Sequence, residues 1–224
     1  METDQSRRSN VALLNCSKKQ MKNPILVDLL KYWERLRAGR IAPMRSEINP
    51  REIESVLEHA FILEKIATDN IRFRLAGAEL CNLMGMEVRG MAATAIIEVS
   101  HRAEYATVVS DIFHTPEIVE FELAHTRPVL APLRADMLLL PMKNDLGQIQ
   151  RILGAVVTDG PMGTPPHRFS ITSKKVTRIV AAEAGEKRGL LPGFAEDSPR
   201  FSGQNPATET KPGQPYLRLV KSDD

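Results

Sequence analysis

Two carboxylates on one predicted strand, Glu120 and Glu122, come closest to a catalytic pair in this sequence. Residues two positions apart lie on the same face of a β-strand, and a hydrolase would need a nucleophile with a base beside it. Val119, Phe121 and Leu123 alternate with the two carboxylates, and this period of two is typical of a strand with one apolar and one solvated face. The alternation therefore favours an ordinary solvated strand face over a catalytic pair.

Catalytic sequence motifs are not found elsewhere in the chain. The sequence contains no GxSxG, no HExxH and no phosphate-binding GxxxxGK[ST] loop. We therefore predict that the protein is not an enzyme, and an unrecognised hydrolase remains an alternative. A screen of the purified protein for turnover of generic esters and phosphates would separate the two.

Two histidines frame a predicted helix. His101 follows Ser100, a residue that can cap a helix, and His114 precedes Pro116, which must end it. Haem iron is commonly held by histidine, so both side chains are candidate haem ligands. However, His101 lies off the apolar face of the helix or at its edge, and the helix dipole alone favours a cationic imidazole at the position of His114. We expect no cofactor and no metal, and a haem-binding sensor remains an alternative.

Cysteine usage and net charge limit the class of protein. Cys16 and Cys81 lie far apart, with no CxxC and no Cys/His cluster, which is typical of free thiols in a reducing compartment. Cys81 is predicted to be a small buried apolar residue. The net charge of +2 gives no electrostatic reason to expect nucleic-acid binding. No signal peptide and no run of about 18 apolar residues is found, so we expect a cytoplasmic protein without a membrane span.

The segment from Ala60 to Gly90 organises the predicted fold. Two apolar runs, Phe61 to Ala67 and Ile71 to Leu75, flank the turn-forming triplet Thr68-Asp69-Asn70, which predicts an antiparallel hairpin. A short helix is predicted from Ala78 to Met84. The inward face of the second strand is predicted to carry Ile71, Phe73 and Leu75, and the outward face Arg72 and Arg74.

An amphipathic helix is predicted to begin at Asn23-Pro24 and to end near Gly39. Its apolar stripe includes Ile25, Leu29, Trp33 and Leu36. Large apolar side chains must be buried, and two burials are open: against the chain's own sheet, or against the same helix of a second copy. We favour a homodimer with these four residues in its interface, because an aromatic residue bordered by arginines is typical of interface cores and rims.

Beyond Gly90 the pattern is first helical and then strand-like. Three further strands are predicted, at Val119 to Ala124, Asp136 to Met142 and Ile149 to Thr158. With the hairpin, they predict an α+β fold, a five-stranded antiparallel sheet with helices on one face and an N-terminal amphipathic helix. The predicted parts are a disordered N-terminal arm (1–22), N-terminal helices and a linker (23–58), a core with a closing segment (59–180) and a disordered C-terminal tail (181–224).

Several short segments indicate a particular protein family within this fold class. They are Tyr32-Trp33, Phe61-Ile62-Leu63-Glu64, Arg72-Phe73-Arg74-Leu75-Ala76-Gly77, Leu80-Cys81 and Arg89-Gly90. In this order they resemble a bacterial family of small stand-alone PAS-domain proteins. The resemblance implies a signalling regulator that docks to a partner protein and senses a small ligand or redox state. A flavin photosensor of the PAS class would need an Asn-Cys-Arg-Phe-Leu-Gln type sequence, and Leu80-Cys81-Asn82-Leu83 lacks the arginine and the glutamine.

A ligand pocket would lie between the predicted helices and the sheet. Its lining would come from Leu83, Met84, Tyr105, Val109 and Phe121. The alternative is that these side chains fill a core and leave no space for a ligand. At the C-terminus, the apolar stretch from Tyr216 to Val220 is either a sticky remnant or a docking peptide that adds to a sheet edge.

Overall fold

The computed structural model describes residues 23–67, 70–127 and 131–181. Three α-helices are found in these ranges, α1 (Pro24–Arg37), α2 (Ala78–Met84) and α3 (Arg102–His114). Six strands follow the order β1 (Ala60–Ala67), β2 (Asn70–Ala76), β3 (Glu117–His125), β4 (Leu133–Lys143), β5 (Ile149–Asp159) and β6 (Ser170–Arg178). Short 3-10 helices lie at Arg45–Glu47, Pro50–Val56, Ala93–Ile96 and Val99–His101. The predictions for the N-terminal arm, Thr68-Asp69 and the tail from residue 182 lie outside the described residues.

The strands form one antiparallel sheet in the order β2-β1-β5-β4-β3-β6. The predicted α+β class and antiparallel sheet are confirmed. A sixth strand, β6, extends the predicted five by pairing with β3. Most of its residues are exposed on both faces, so its sequence lacks the alternation that identifies a half-buried strand.

Both faces of the sheet are covered: α2 and α3 lie on one face, and the predicted N-terminal helix, α1, lies on the other. In β4, Met137 and Leu139 enter a core beneath α2 and α3, which we call the helical-face core. Leu138 and Leu140 enter a second core beneath α1, the α1-face core. Because β4 is buried on both faces, it is a continuous apolar run in the sequence.

Helix α1 lies on the sheet of its own chain. The side chain of Asn23 caps it by accepting a 3.0 Å hydrogen bond from the N–H of Ile25. Leu29 and Trp33 are 0 % exposed, and the indole N–H of Trp33 donates a 2.9 Å hydrogen bond to the carbonyl of Pro141 in β4. Ile25 and Leu36 are half-buried against the same α1-face core. The sheet of the same chain therefore buries the centre of this stripe, which is the first of the two burials considered, and a homodimer through α1 stays a prediction.

The β1–β2 hairpin departs from strict alternation at one end. Phe73 is buried as predicted and its ring packs edge-on against Phe61, with 5.5 Å between ring centroids. Leu75 is half exposed, contrary to the prediction. A register shift between Ile62 and Leu63 places Leu75 opposite Ile62, whose side chain packs against the α1-face core. One irregularity in the strand therefore moves one side chain to the other face.

No helix within the described ranges is long and apolar enough to cross a membrane.

Candidate ligand cleft

The five residues predicted to line a pocket are brought together by the fold, but they fill a core. Leu83 and Met84 of α2, Tyr105 and Val109 of α3, and Phe121 of β3 are all buried in the helical-face core. The rings of Tyr105 and Phe121 pack at a tilt, with 5.4 Å between centroids. The alternative of a filled core therefore describes Leu83, Met84 and Phe121, whereas Tyr105 and Val109 also line an open cleft.

Tyr105 is the most polar member of this group. Its hydroxyl lies 3.6 Å from the sulfur of Met137, a weak acceptor, and the whole side chain is buried. Burial raises the pKa of Tyr105 far above its usual value, because the phenolate would have no solvation there. The hydroxyl is therefore a fixed neutral group at every physiological pH.

An open cleft of about 340 Å³ lies on the outer side of this core, against α3. Its walls are the start of β2, residues 92–94 and one flank of α3. Small side chains leave the space open, since Ala92, Ala93 and Ala106 all line it. Polar groups at its rim come from Asn70, Thr94, Thr107, Ser110 and Asp111. Such a mixture suits a small ligand with an apolar body and a few hydrogen-bonding groups.

Neither of the two candidate haem ligands is among the residues that line this cleft, and the two lie at opposite ends of α3. His101 lies 4.0 Å from Glu104 on the next turn. At the other end of α3, the ring of His114 lies 3.0 Å from the carbonyl oxygen of Ser110 and 3.3 Å from the Nζ of Lys65. Across the described ranges, no three His, Cys, Asp or Glu residues are grouped so that they could hold a metal ion.

Cys81 is half-buried and packs against the helical-face core. Its sulfur lies 3.9 Å from a carboxylate oxygen of Glu87.

The side chains of Glu120 and Glu122 in β3 lie on the same face of the sheet as α1, one strand in from the β6 edge. Glu120 forms a 2.6 Å ion pair with Lys175 of β6, and Glu122 lies opposite Asp136 of β4 in the ladder. They share a polar surface that also includes a groove of about 720 Å³. The groove is lined by Asn23, Pro24, Glu122, Leu123, Ala124, Thr126, Pro132, Arg134, Ala135, Asp136, Val157, Thr158, Asp159 and Thr172.

The arginines of β2 find partners of their own, because β2 and β3 are not neighbours in the sheet. Arg74 lies 3.6 Å from Glu64 of β1, and Arg72 donates to the carbonyl of Gly90 at 2.7 Å. Arg72 and Arg74 are therefore too far from Glu120 and Glu122 in the sheet to pair with them as cross-strand neighbours.

A pair of histidines that the sequence analysis did not single out meets near the end of β3. The ring centroids of His125 and His167 are 5.1 Å apart, in an edge-to-face arrangement. His167 is the one buried polar or charged residue among the described residues. The sequence carries no periodic signal for its burial, because it lies in a proline-rich loop between β5 and β6.

The PAS domain family model matches residues 21–157, well over half of the chain. The chain belongs to the PAS family. The match includes α1, α2, α3, the strands β1 to β4 and most of β5, and it ends before β6. A PAS domain is a sensory module of signalling proteins, so the coarse assignment to signal transduction follows from the family.

Solved structures with a similar fold are light-oxygen-voltage domains. One, studied with a flavin analogue, is 12 % identical, with 49 % of this chain and 83 % of that chain covered and a TM-score of 0.39. The Rhodobacter sphaeroides LOV protein is 13 % identical over 52 % of this chain and 71 % of its own, with a TM-score of 0.38. At such values nothing about a cofactor follows for the PAS domain described here. No curated protein matches the chain.

Proposed function

We propose that this PAS protein is a signalling regulator that acts through contact with a partner protein and is gated by a small ligand in the cleft beside α3. It works by binding and not by catalysis. The position of the cleft carries the proposal. Tyr105 and Val109 of α3 both line the cleft and belong to the helical-face core, to which Ile112 of the same helix also belongs. A ligand in the cleft would therefore press on a helix that is packed directly against the sheet.

The free edge of the sheet supports a partner contact. At one edge, β2 is covered by the following loop, since the N–H of Phe73 donates to the carbonyl of Met91 and the N–H of Gly90 to that of Phe73. At the other edge, β6 pairs only with β3 among the described strands. An edge strand presents backbone donors and acceptors that can pair with another chain. We place the partner contact at this outer edge of β6.

Ligand gating is tested by filling the cleft. Ala106→Trp places a large side chain at the exposed lining of the cleft, whereas Ala103→Trp makes the same change one turn earlier on α3, outside the lining. Native mass spectrometry and thermal shifts with a metabolite library should find a ligand for the parent and for Ala103→Trp, but not for Ala106→Trp. Equal binding by all three proteins would contradict a site in this cleft.

Partner contact is tested by placing a photo-reactive residue at Val176, which is 42 % exposed on β6. The same residue at Leu146, in the β4–β5 turn and 82 % exposed, is the matched control. A single cross-linked protein, identified by mass spectrometry from Val176 only, supports the proposal. Identical cross-links from both positions would remove the argument for the β6 edge.

A further inference from the structure

The loop between β5 and β6 closes over one end of the helical-face core. The backbone N–H of His167 donates a 2.8 Å hydrogen bond to the carbonyl of Leu83 in α2. Two residues later, Phe169 exchanges backbone hydrogen bonds with Ile96 (2.9 Å) and Glu98 (3.0 Å), and its ring is fully buried. The segment 160–169 thus lies across α2 and delivers the chain to β6.

His167 is the one polar side chain of this segment that is buried. It is 1 % exposed, and neither of its ring nitrogens has a hydrogen-bond partner of normal geometry among the described residues, although the Gly163 backbone lies close enough to interact with the ring. A buried polar group without a partner is unfavourable, and it becomes far more so when it carries a charge. The closed segment therefore accepts the neutral ring and excludes the protonated one.

The charges around His167 act in the same direction. Burial lowers the pKa of His167, and His125 and Arg127 at the end of β3 lower it further, against a smaller opposing effect of the Gly163 backbone. On α2, the backbone carbonyl of Leu83 meets the segment and accepts a hydrogen bond from the backbone N–H of His167. The Arg127 guanidinium also meets the segment itself, since it donates hydrogen bonds to the carbonyls of Pro161 (2.7 Å) and Met162 (3.3 Å).

The remaining charges near this loop lie around a second cleft, which His125 lines. The backbone carbonyl oxygen of Arg168 lies 2.7 Å from Nδ1 of His125. From the segment that precedes α3, the carboxylate of Glu98 accepts a 2.8 Å hydrogen bond from the hydroxyl of Ser170. Both Glu98 and Arg168 line this cleft with His125, and His167 does not.

We propose that segment 160–169 is an acid-sensitive latch, which neutral His167 holds closed over α2 and which protonation of that ring releases together with the start of β6. The signal of this latch is the proton itself. The proposal does not depend on the ligand cleft beside α3, since none of residues 160–169 lines it.

The direction of the effect follows from linkage. The open segment exposes His167 to water, where its pKa is about 6.5, whereas the pKa in the closed segment is lower. The open state then binds more protons between these two values, so the closed state loses stability as the pH falls below about 6.5. Because opening binds one proton, the equilibrium constant for opening rises by up to about tenfold for each unit by which the pH falls within that window.

Hydrogen exchange of the full-length protein between pH 7.5 and 5.0 tests the latch. After correction for intrinsic exchange rates, backbone amides of 160–171 in the parent should lose protection by up to about tenfold per pH unit below 6.5, while those of β4 and β5 should not. His167→Phe keeps a ring of similar shape that cannot titrate, and its segment should show no such change. His114→Asn, which removes an exposed histidine on α3, is the control and should behave as the parent does.

A second measurement covers the case in which His167→Phe fails to fold. Histidine ring resonances of the parent, followed by NMR, should show His167 titrating below pH 6.5, together with shifts of amides in 160–171. The latch is overturned if protection of this segment is independent of pH, or if His167→Phe keeps the response. It is equally overturned if His167 titrates at or above 6.5.

Discussion

The indole N–H of Trp33 and the backbone carbonyl of Pro141 are joined by a buried 2.9 Å hydrogen bond that ties α1 to the middle of the sheet. A buried indole N–H needs an acceptor. Here the partner is a strand carbonyl of β4, so the position of the helix is fixed by one directional contact in addition to apolar packing.

Trp33→Phe should destabilise the domain by about 1–3 kcal/mol, because it leaves the Pro141 carbonyl buried without its donor. Trp33→Ala should cost more, about 3–5 kcal/mol, since it also empties the space under the helix. Urea unfolding measures both. Lys31→Ala on the exposed face of α1 serves as the control and should change stability by less than about 0.5 kcal/mol. A Trp33→Phe variant as stable as the parent would mean that the hydrogen bond is unimportant.

Gly154→Ala should destabilise the protein through a clash with Phe61. A Cβ at position 154 would lie 2.3 Å from the Phe61 ring, which packs across this point of β5. Overpacking of this kind costs about 1–3 kcal/mol. Thermal unfolding of the double variant Gly154→Ala with Phe61→Leu gives the control, because a smaller side chain should remove the clash and make the two changes less than additive.

Phe73→Ala should cost about 3–5 kcal/mol, because the ring is fully buried between β2 and the helical-face core. Arg74→Ala, the next residue on the same strand, should cost less than about 1 kcal/mol, since the Arg74 side chain is 59 % exposed and Glu64 keeps its ion pair with Arg151. Chemical denaturation of the two variants compares the two faces of β2. Similar losses from both would contradict the assigned orientation of the strand.

Glu47→Gln should weaken the protein slightly at neutral pH and not in acid. The Arg40 guanidinium, followed by the N–H of Met44, lowers the pKa of Glu47. A carboxyl whose pKa is lower in the folded state stabilises it above the unfolded pKa, near 4.5, and loses this effect as the pH falls. The side chain is 35 % exposed, so less than about 1 kcal/mol is expected. Stability measured from pH 7 to 3 should converge for the parent and the variant, and a constant difference would refute this.

The sequence was sufficient to predict those helices and strands that are marked by capping residues or by the pattern of nearby apolar residues. Asn23 and Pro24 mark the start of α1 by capping chemistry, and the structure has the helix begin there. The alternation in β3 and the continuous apolar run of β4 likewise identify strands, because burial on one face or on both leaves a direct trace in the pattern.

Features that depend on contacts between distant segments were not visible. Periodicity shows that the stripe with Leu29 and Trp33 must be buried, but it cannot say whether a sheet or a second helix buries it. Similarly, a one-residue register shift decides the face of Leu75. His167 is buried only because a loop crosses α2, and a loop has no period from which burial could be predicted.

The alternation of β4 and β5 between two cores affects how the domain unfolds. Met137 and Leu138, neighbours in the chain, belong to different cores, as do Ile152 and Leu153. Neither layer can lose its order without exposing one face of strands on which the other layer depends. We therefore expect α1 and the helices on the opposite face to melt in one cooperative transition, with the same midpoint reported by Trp33 fluorescence and by far-ultraviolet circular dichroism.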